Sequence, residues 1–233
     1  MRRSSRPVAA CAVAATVLAT ATGARALGDL SSARSLYAGG SPVATLAVRA
    51  LDLHASPGSP HTVARVADTT EFGTPTHLAV VAAGAGWLGV LSPELANGVV
   101  GYVRTTDVRV AHDPYAIEVD LSRHRLTVWK NGRRTHTIRV GIGQPPSVTP
   151  SGRFSITDKL RDFMPSVYGC CILALSGHQG NLPAGWTGGD RLAIHAGSGV
   201  GAAVSAGCLH ASDADLRYLL ARLPLGTQVV IHP

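Results

Sequence analysis

His195 and Cys208 stand thirteen positions apart near the end of a 233-residue chain, and together they are the residue types of a nucleophile and its base. Cys208 closes the run Ser205-Ala206-Gly207-Cys208. Main-chain N–H groups in so tight a turn converge on a small volume, where they favour a thiolate and later an oxyanion. Gly207 lets the chain turn there without a Cβ clash. His195 ends the apolar run Leu192-Ala193-Ile194, and a strand ending in His could project an imidazole beside the thiol. The pair would then act as thiolate and imidazolium. Spacing alone does not separate this from a small buried cysteine near an ordinary histidine, because ten histidines are scattered through the chain.

Two other chemistries use the same residues. His195, Cys208 and His210 could be zinc ligands, but no CxxC or HExxH spacing and no clear fourth ligand accompany them, so no metal is expected. A papain-like endopeptidase also uses Cys and His, yet places the Cys first and opens a helix with it, the reverse of the order here.

Positioning these groups falls to a mainly β chain. Charged residues make up only 15% while Gly (26) and Pro (14) are frequent, so turns are many and long amphipathic helices few. Residues 115–233 carry the chemistry. Tyr115 to Leu121 alternates as a half-buried strand, Leu126 to Trp129 begins the next, and Asn131-Gly132 forms a type I′ turn into Thr135 to Val140. Further strands are expected at Arg153 to Thr157, Cys171 to Leu175, Leu192 to His195 and Thr227 to His232, most simply as a meander. One helix is expected: Ser212 caps it, Asp215 follows three positions on, and Leu216, Leu219, Leu220 and Leu223 recur until Pro224 and Gly226 stop it.

Residues 27–111 hold a second β-rich block, with short strands at Ala44 to Leu53, Thr62 to Val66, His77 to Val81, Trp87 to Leu91, Val99 to Val103 and Thr106 to Val110. The segments Val48-Arg49-Ala50, Gly86-Trp87-Leu88-Gly89-Val90 and Asn97 to Val103 resemble bacterial Src-homology-3-like barrels that accompany cell-wall enzymes. Trp87 and Tyr102 either close its small core or form a ligand surface. Asp113 and Pro114 suggest a hinge at 112–114. Ahead of both blocks, Met1 to Arg6 is basic, Val8 to Ala21 is apolar but shorter than the ~20 residues of a membrane span, and Ala24-Arg25-Ala26 fits a cleavage site. Residues 1–26 are therefore expected to be a signal peptide, and the protein to be exported to the periplasm or cell wall. Cys11 does not follow the apolar run, as a lipidation cysteine must. Without Arg2, Arg3, Arg6 and Arg25 the basic excess falls from +7 to +3, and with only 5% aromatic residues no nucleic-acid partner is indicated. The other cysteines are Cys170, Cys171 and Cys208, an odd number that leaves at least one free or bridged to another chain in an oxidising compartment.

The order of segments resembles the L,D-transpeptidase catalytic domain, the YkuD-type enzymes of bacterial cell walls. It rests on Val119-Asp120-Leu121-Ser122, Leu126-Thr127-Val128, Asn131-Gly132, Val140-Gly141-Ile142-Gly143, the Thr149-Pro150-Ser151-Gly152-Arg153-Phe154 turn, Val167-Tyr168-Gly169, Leu173 to Gly177, Ala193-Ile194-His195, Ser205-x-Gly207-Cys208 and Leu225 to Val229. The resemblance implies a β-sandwich or barrel over 115–233. It also implies a reaction without cofactor in which Cys208 attacks a peptidoglycan tetrapeptide stem, expels the terminal D-alanine as a thioester forms, and passes the acyl group to an amine. His195 would move the protons, its ring oriented by the main-chain carbonyl of Ala196. Ser205, Ala206 and Gly207 would form the loop, its amides with that of Cys208 holding the oxyanion. Tyr168, Ser176, Gly177 and His178 would contact substrate.

Several positions depart from the family pattern. Ala206 stands where a second histidine is usual, His210 where Arg or Asn is, Cys170-Cys171 where Pro-Tyr is more frequent, and the nine residues between His195 and Ser205 form a short loop. His178 and His210 are candidates to replace the lost imidazole. Cys170 and Cys171 could pack in a strand, bridge to another chain, or serve as a redox partner of Cys208. The alternative to an active transferase is a catalytically degenerate peptidoglycan-binding protein of the same fold, with weak wall association through residues 27–111.

Overall fold

A computed structural model of the protein describes residues 28–29, 33–161 and 166–233; the expected leader, 1–26, lies outside the described residues. Two eight-stranded sheets account for most of it. The first holds β1 (Gly28–Asp29), β2 (Ser41–Leu46), β3 (Ala50–His54), β4 (Thr62–Ala67), β5 (His77–Gly84), β6 (Trp87–Leu91), β7 (Gly101–Arg104) and β8 (Val108–Asp113), in the order β4-β3-β7-β6-β5-β2-β8 with β1 beside β5. Every pairing in it is antiparallel. The one strand expected over Ala44 to Leu53 is two, parted by bends at 47–49, and this lets β2 pair with β8 while β3 pairs with β4. Leu53, Leu78, Val80, Val90 and Val103 fill the core. Trp87 belongs with them: it is 7% exposed, with His54 edge-on at 5.3 Å and the Arg104 guanidinium 4.7 Å over its ring. Its surface is spent on packing.

A helix that the sequence did not announce, α1 (Ala33–Gly39), precedes β2. It has no acidic first turn and no basic last turn, and its clearest terminal feature is Gly40, whose φ of 79° lets its amide close on the Leu36 carbonyl. Packing holds it: Leu36 is fully buried, Tyr37 stacks on Trp129 at 5.4 Å, and the Tyr37 carbonyl accepts from Gly132 N.

The second sheet contains β9 (Tyr115–Asp120), β10 (Arg125–Lys130), β11 (Arg133–Arg139), β13 (Gly152–Arg161), β14 (Cys171–His178), β15 (Arg191–Ala196), β17 (Leu209–Ala211) and β18 (Gln228–His232). Its order is β11-β10-β9-β18-β13-β14-β15-β17, while β12 (Ile142–Gly143) and β16 (Ala203–Ser205) form a small parallel pair. Asn131 and Gly132 adopt φ of 47° and 78°, the backbone that joins β10 to β11 in a two-residue turn. A simple meander is not formed. β18 runs parallel to β9 and separates it from β13, and β17 runs parallel to β15. Parallel neighbours need a crossover, which no local turn signal can encode. The β15–β17 connection runs through residues 197–208, which hold β16, and α2 (Asp213–Arg222) then leads from β17 to β18; it is capped by Ser212, whose Oγ accepts from Asp215 N, with Leu216, Leu219 and Leu220 buried. These leucines join Ile117, Phe154, Ile156, Leu173, Ile194 and Leu209 in one core.

Asp113 ends β8, is 4% exposed, accepts from Tyr115 N at 2.9 Å and from Thr227 Oγ1 at 2.5 Å. Gln228 Nε2 donates to the Val80 carbonyl and Thr70 Oγ1 to Asp158 Oδ1, so the two sheets are braced together.

Candidate active site

β15 and β17 place the chemistry. Their register pairs Ile194 with Leu209, His195 with His210 and Ala196 with Ala211. Side chains alternate along a strand, so the even-numbered residues of β15 and the odd-numbered residues of β17 enter the core. His195, His210 and Cys208, one step before β17, therefore share the opposite face with Ala193. Sequence alternation made His195 visible as a strand end; only the parallel register brings Cys208 alongside.

His195 is 5% exposed and donates from Nδ1 to the Ala196 carbonyl at 2.9 Å, the partner the resemblance implies. A carbonyl can only accept, so the ring's proton sits on Nδ1 and Nε2 keeps its lone pair. Tyr168 meets the ring edge-on at 4.9 Å, and His210 lies 4.6 Å away. His210 is held the same way, Nδ1 donating to the Ser198 carbonyl at 2.8 Å. Burial, reinforced by the charge His210 can carry and opposed by the Ala196 carbonyl, drives the His195 pKa down to about 4.

Cys208 is a half-buried free thiol whose hydrogen-bond acceptor is the Arg191 carbonyl at 4.0 Å. It makes no hydrogen bond to His195. Burial pushes the thiol pKa up, against a smaller opposing effect of the Ala193 amide. Both shifts favour the neutral forms at rest over the expected thiolate–imidazolium pair, because the site withholds the water that would solvate either charge. Cys170 and Cys171 are bonded to one another, so neither pairs with Cys208.

The turn before Cys208 is braced from three sides. Ser205 Oγ donates to the Cys208 carbonyl at 2.6 Å and accepts from Gly207 N at 3.1 Å. Thr149 Oγ1 donates to the Gly207 carbonyl at 2.9 Å and accepts from Gly143 N at 2.8 Å. Gly207 has φ of 118°, and a Cβ there would overlap Gln179 Nε2. The Gly207 amide is already committed, which removes it from the expected oxyanion donors; among the described residues the amides of Ala206 and Cys208 donate no hydrogen bond. Ala206 puts no polar side chain beside them.

The expected substrate contacts divide. Tyr168 is at the site. Ser176 is in the core, its Oγ accepting from Ser155 N at 3.0 Å, and Gly177 is buried where a Cβ would crowd Phe154 and Leu192. Strand β14 is buried on both faces over these residues, which the apolar run Leu173 to Leu175 could not reveal beyond its own length. His178 does not replace the missing imidazole, because its Nε2 meets the Pro93 carbonyl at 2.7 Å and its Nδ1 meets Asp190 Oδ1 at 3.0 Å. Three contributors lay outside the expected set: Thr149, Gln179 and Arg191. Thr149 had a signal in its turn motif and Arg191 in being a charge that opens an apolar strand; Gln179 had none.

A mainly β domain with Cys and His sharing one face of adjacent parallel strands, its thiol turn pinned by a threonine from a Thr-Pro turn, is the class that fold and site define. Residues 114–231 match the family model described as L,D-transpeptidase catalytic domain, YkuD, and the chain belongs to that family. It is 30% identical over 124 residues to a Bacillus subtilis (strain 168) protein named as an L,D-transpeptidase, YkuD, covering 51% of this chain and 66% of that one. Among solved structures it is similar to an L,D-transpeptidase from Mycobacterium smegmatis (16% identity, TM-score 0.40, 65% of this chain and 70% of the other). It is also similar to an Enterococcus faecium L,D-transpeptidase (16% identity, TM-score 0.42, 71% and 72%). The chain spans slightly less than two thirds of the curated relative's length.

Proposed function

We propose that the protein is a peptidoglycan L,D-transpeptidase with Cys208 as nucleophile and His195 as general acid and base. The observation that carries this reading is the His195 ring, locked by Ala196 with Nε2 as its basic nitrogen, on the same strand face as the free thiol. Because both groups start neutral, proton transfer and attack are coupled. Sulfur bonds to the stem carbonyl as its proton passes to His195 Nε2, with rotation of the Cys208 side chain bringing the two together. The Ala206 and Cys208 amides donate hydrogen bonds to the developing oxyanion, at roughly 3 to 4 kcal/mol per donor. An imidazolium so poorly solvated is a strong acid: it protonates the leaving D-alanine amine as the C–N bond breaks, leaving a thioester. An acceptor amine then attacks, gives its proton to His195, and releases the thiol, which recovers its hydrogen from the same ring. Atoms balance with no cofactor.

Residues 1–26 fit an export leader and residues 27–111 a Src-homology-3-like module, so the reaction would occur at the cell wall, with stem peptides as partners.

Intact-protein mass spectrometry tests the chemistry. Incubation of the reduced protein with a carbapenem should give one adduct that Cys208→Ala abolishes, and tetrapeptide stems should lose D-alanine only with wild type. A wild-type protein that neither forms the adduct nor cleaves stems refutes the reading and leaves a degenerate wall-binding protein.

A further inference from the structure

His178 and Arg191 are register partners at the loop end of the β14–β15 hairpin, and residues 179–190 loop out between them. Both ends of that loop touch the thiol turn. The Arg191 carbonyl is the acceptor of the Cys208 thiol, and Gln179, next to His178, packs on Gly207 while its Nε2 donates to the Val148 carbonyl at 2.9 Å. Both ends are also gripped by the first sheet's loops. Asn97 makes a two-way bond with the His178 backbone, Nδ2 donating to its carbonyl at 2.7 Å and Oδ1 accepting from its amide at 2.8 Å, and the Pro93 carbonyl takes the His178 ring. At the other end Glu71 pairs with Arg191. The rest of that guanidinium is spent inside the catalytic domain, on the Leu175 carbonyl at 2.8 and 3.0 Å and on Thr157 Oγ1 at 2.7 Å.

We propose that the N-terminal sheet belongs to the acyl-transfer machinery: Glu71 and Asn97 are positioning residues that clamp the two ends of the 178–191 loop and thereby hold the Arg191 carbonyl and Gln179 against the Cys208 turn. An exposed ion pair adds little stability by itself, but this pair is asymmetric, with the Arg191 side chain 15% and Glu71 44% exposed, and it fixes a residue whose main chain touches the nucleophile. Displacements of about 1 Å from remote residues lower reaction rates up to a hundredfold. The module expected to associate weakly with the wall thus sets the geometry of the thiol. This inference rests on the transpeptidase reading, since positioning matters only where a reaction is positioned.

The test uses the full chain and two probes, acylation by a carbapenem and alkylation of Cys208 by iodoacetamide at neutral pH. Glu71→Ala combined with Asn97→Ala should slow saturated acylation about tenfold or more, and should speed alkylation severalfold as the thiol loses its cover. Glu71→Gln, which keeps an oxygen for Arg191 to donate to, should restore most of the acylation rate lost by Glu71→Ala. Arg65→Ala, which breaks an exposed pair with Asp52 inside the first sheet, should change neither probe. Wild-type acylation and alkylation rates in the double variant overturn the proposal, as does a lowered unfolding temperature with both rates intact, the behaviour of plain inter-sheet glue. Should the double variant fail to fold, the Glu71→Ala and Asn97→Ala single variants carry the same comparison. A wild type that no carbapenem acylates refutes the transpeptidase reading instead, and alkylation still decides whether the clamp holds the thiol.

Discussion

The rings of His195 and His210 lie 4.6 Å apart, centroid to centroid, at paired positions of two parallel strands, and each donates its Nδ1 proton to a main-chain carbonyl. A proton arriving on the His195 ring meets the penalty of burial first and the neighbouring His210 second. The His195 imidazole consequently stays neutral, and able to accept the thiol proton, down to about pH 4. The acid limb of the acylation rate should fall near there and not near 6.5. His210→Gln removes the charged neighbour and should move that limb upward, a shift a pH–rate profile reads directly.

The same shift bears on stability. The folded pKa of His195 lies below the unfolded value of 6.5, so between 6.5 and about 4 the unfolded chain binds the extra proton. Stability from this group is complete above 6.5 and is lost as pH falls toward 4, by about 3 kcal/mol in all. Urea midpoints across that window should fall less steeply in His195→Gln than in wild type.

Gly207→Ala tests the turn itself. Its φ of 118° is strained for any L side chain, and the new methyl would meet Gln179. We expect a loss of about 1–3 kcal/mol in stability and acylation below detection in the mass-spectrometric assay. An alanine variant that acylates normally would show that the turn is not held as described.

Thr149→Val keeps the shape of a buried side chain but strands the Gly143 amide and the Gly207 carbonyl. The expected cost is about 1–3 kcal/mol, measured by denaturant unfolding, with slower acylation because the turn loses its outer brace. Thr149→Ser, which retains the hydroxyl, should recover most of both.

Ser212→Ala removes the cap of α2, where Ser212 Oγ accepts from Asp215 N at 3.1 Å. About 1 kcal/mol should be lost, visible as a lower thermal midpoint. The helix forms the crossover into β18, so its fraying would be felt in the middle of the second sheet.

Local signals are what the sequence could determine. Asn131-Gly132 specifies a hairpin because both residues accept positive φ; Ser212 with Asp215 and the leucine spacing specifies a capped helix; Leu192 to Ile194 specifies a strand that ends at His195; and Gly207-Cys208 specifies a tight turn with a thiol. Each is a matter of a few neighbouring residues, and together with the segments of the family pattern they singled out Cys208 and His195 as the candidate nucleophile and base. Tertiary structure decided what depends on residues far apart in the chain. The parallel insertion of β18, the pairing of His195 with His210, the burial that shifts thiol and imidazole toward their neutral forms, the placing of Ser176 and Gly177 in the core and the engagement of the His178 ring by Pro93 and Asp190 all arise from packing between segments that share no local pattern. The braces on the thiol turn have the same origin: Thr149 is 58 positions from Gly207, and Glu71 is 120 from Arg191. Hydrogen bonds of that range form only after the sheets have closed, because the entropy of bringing their ends together is met by the whole core and not by the pair.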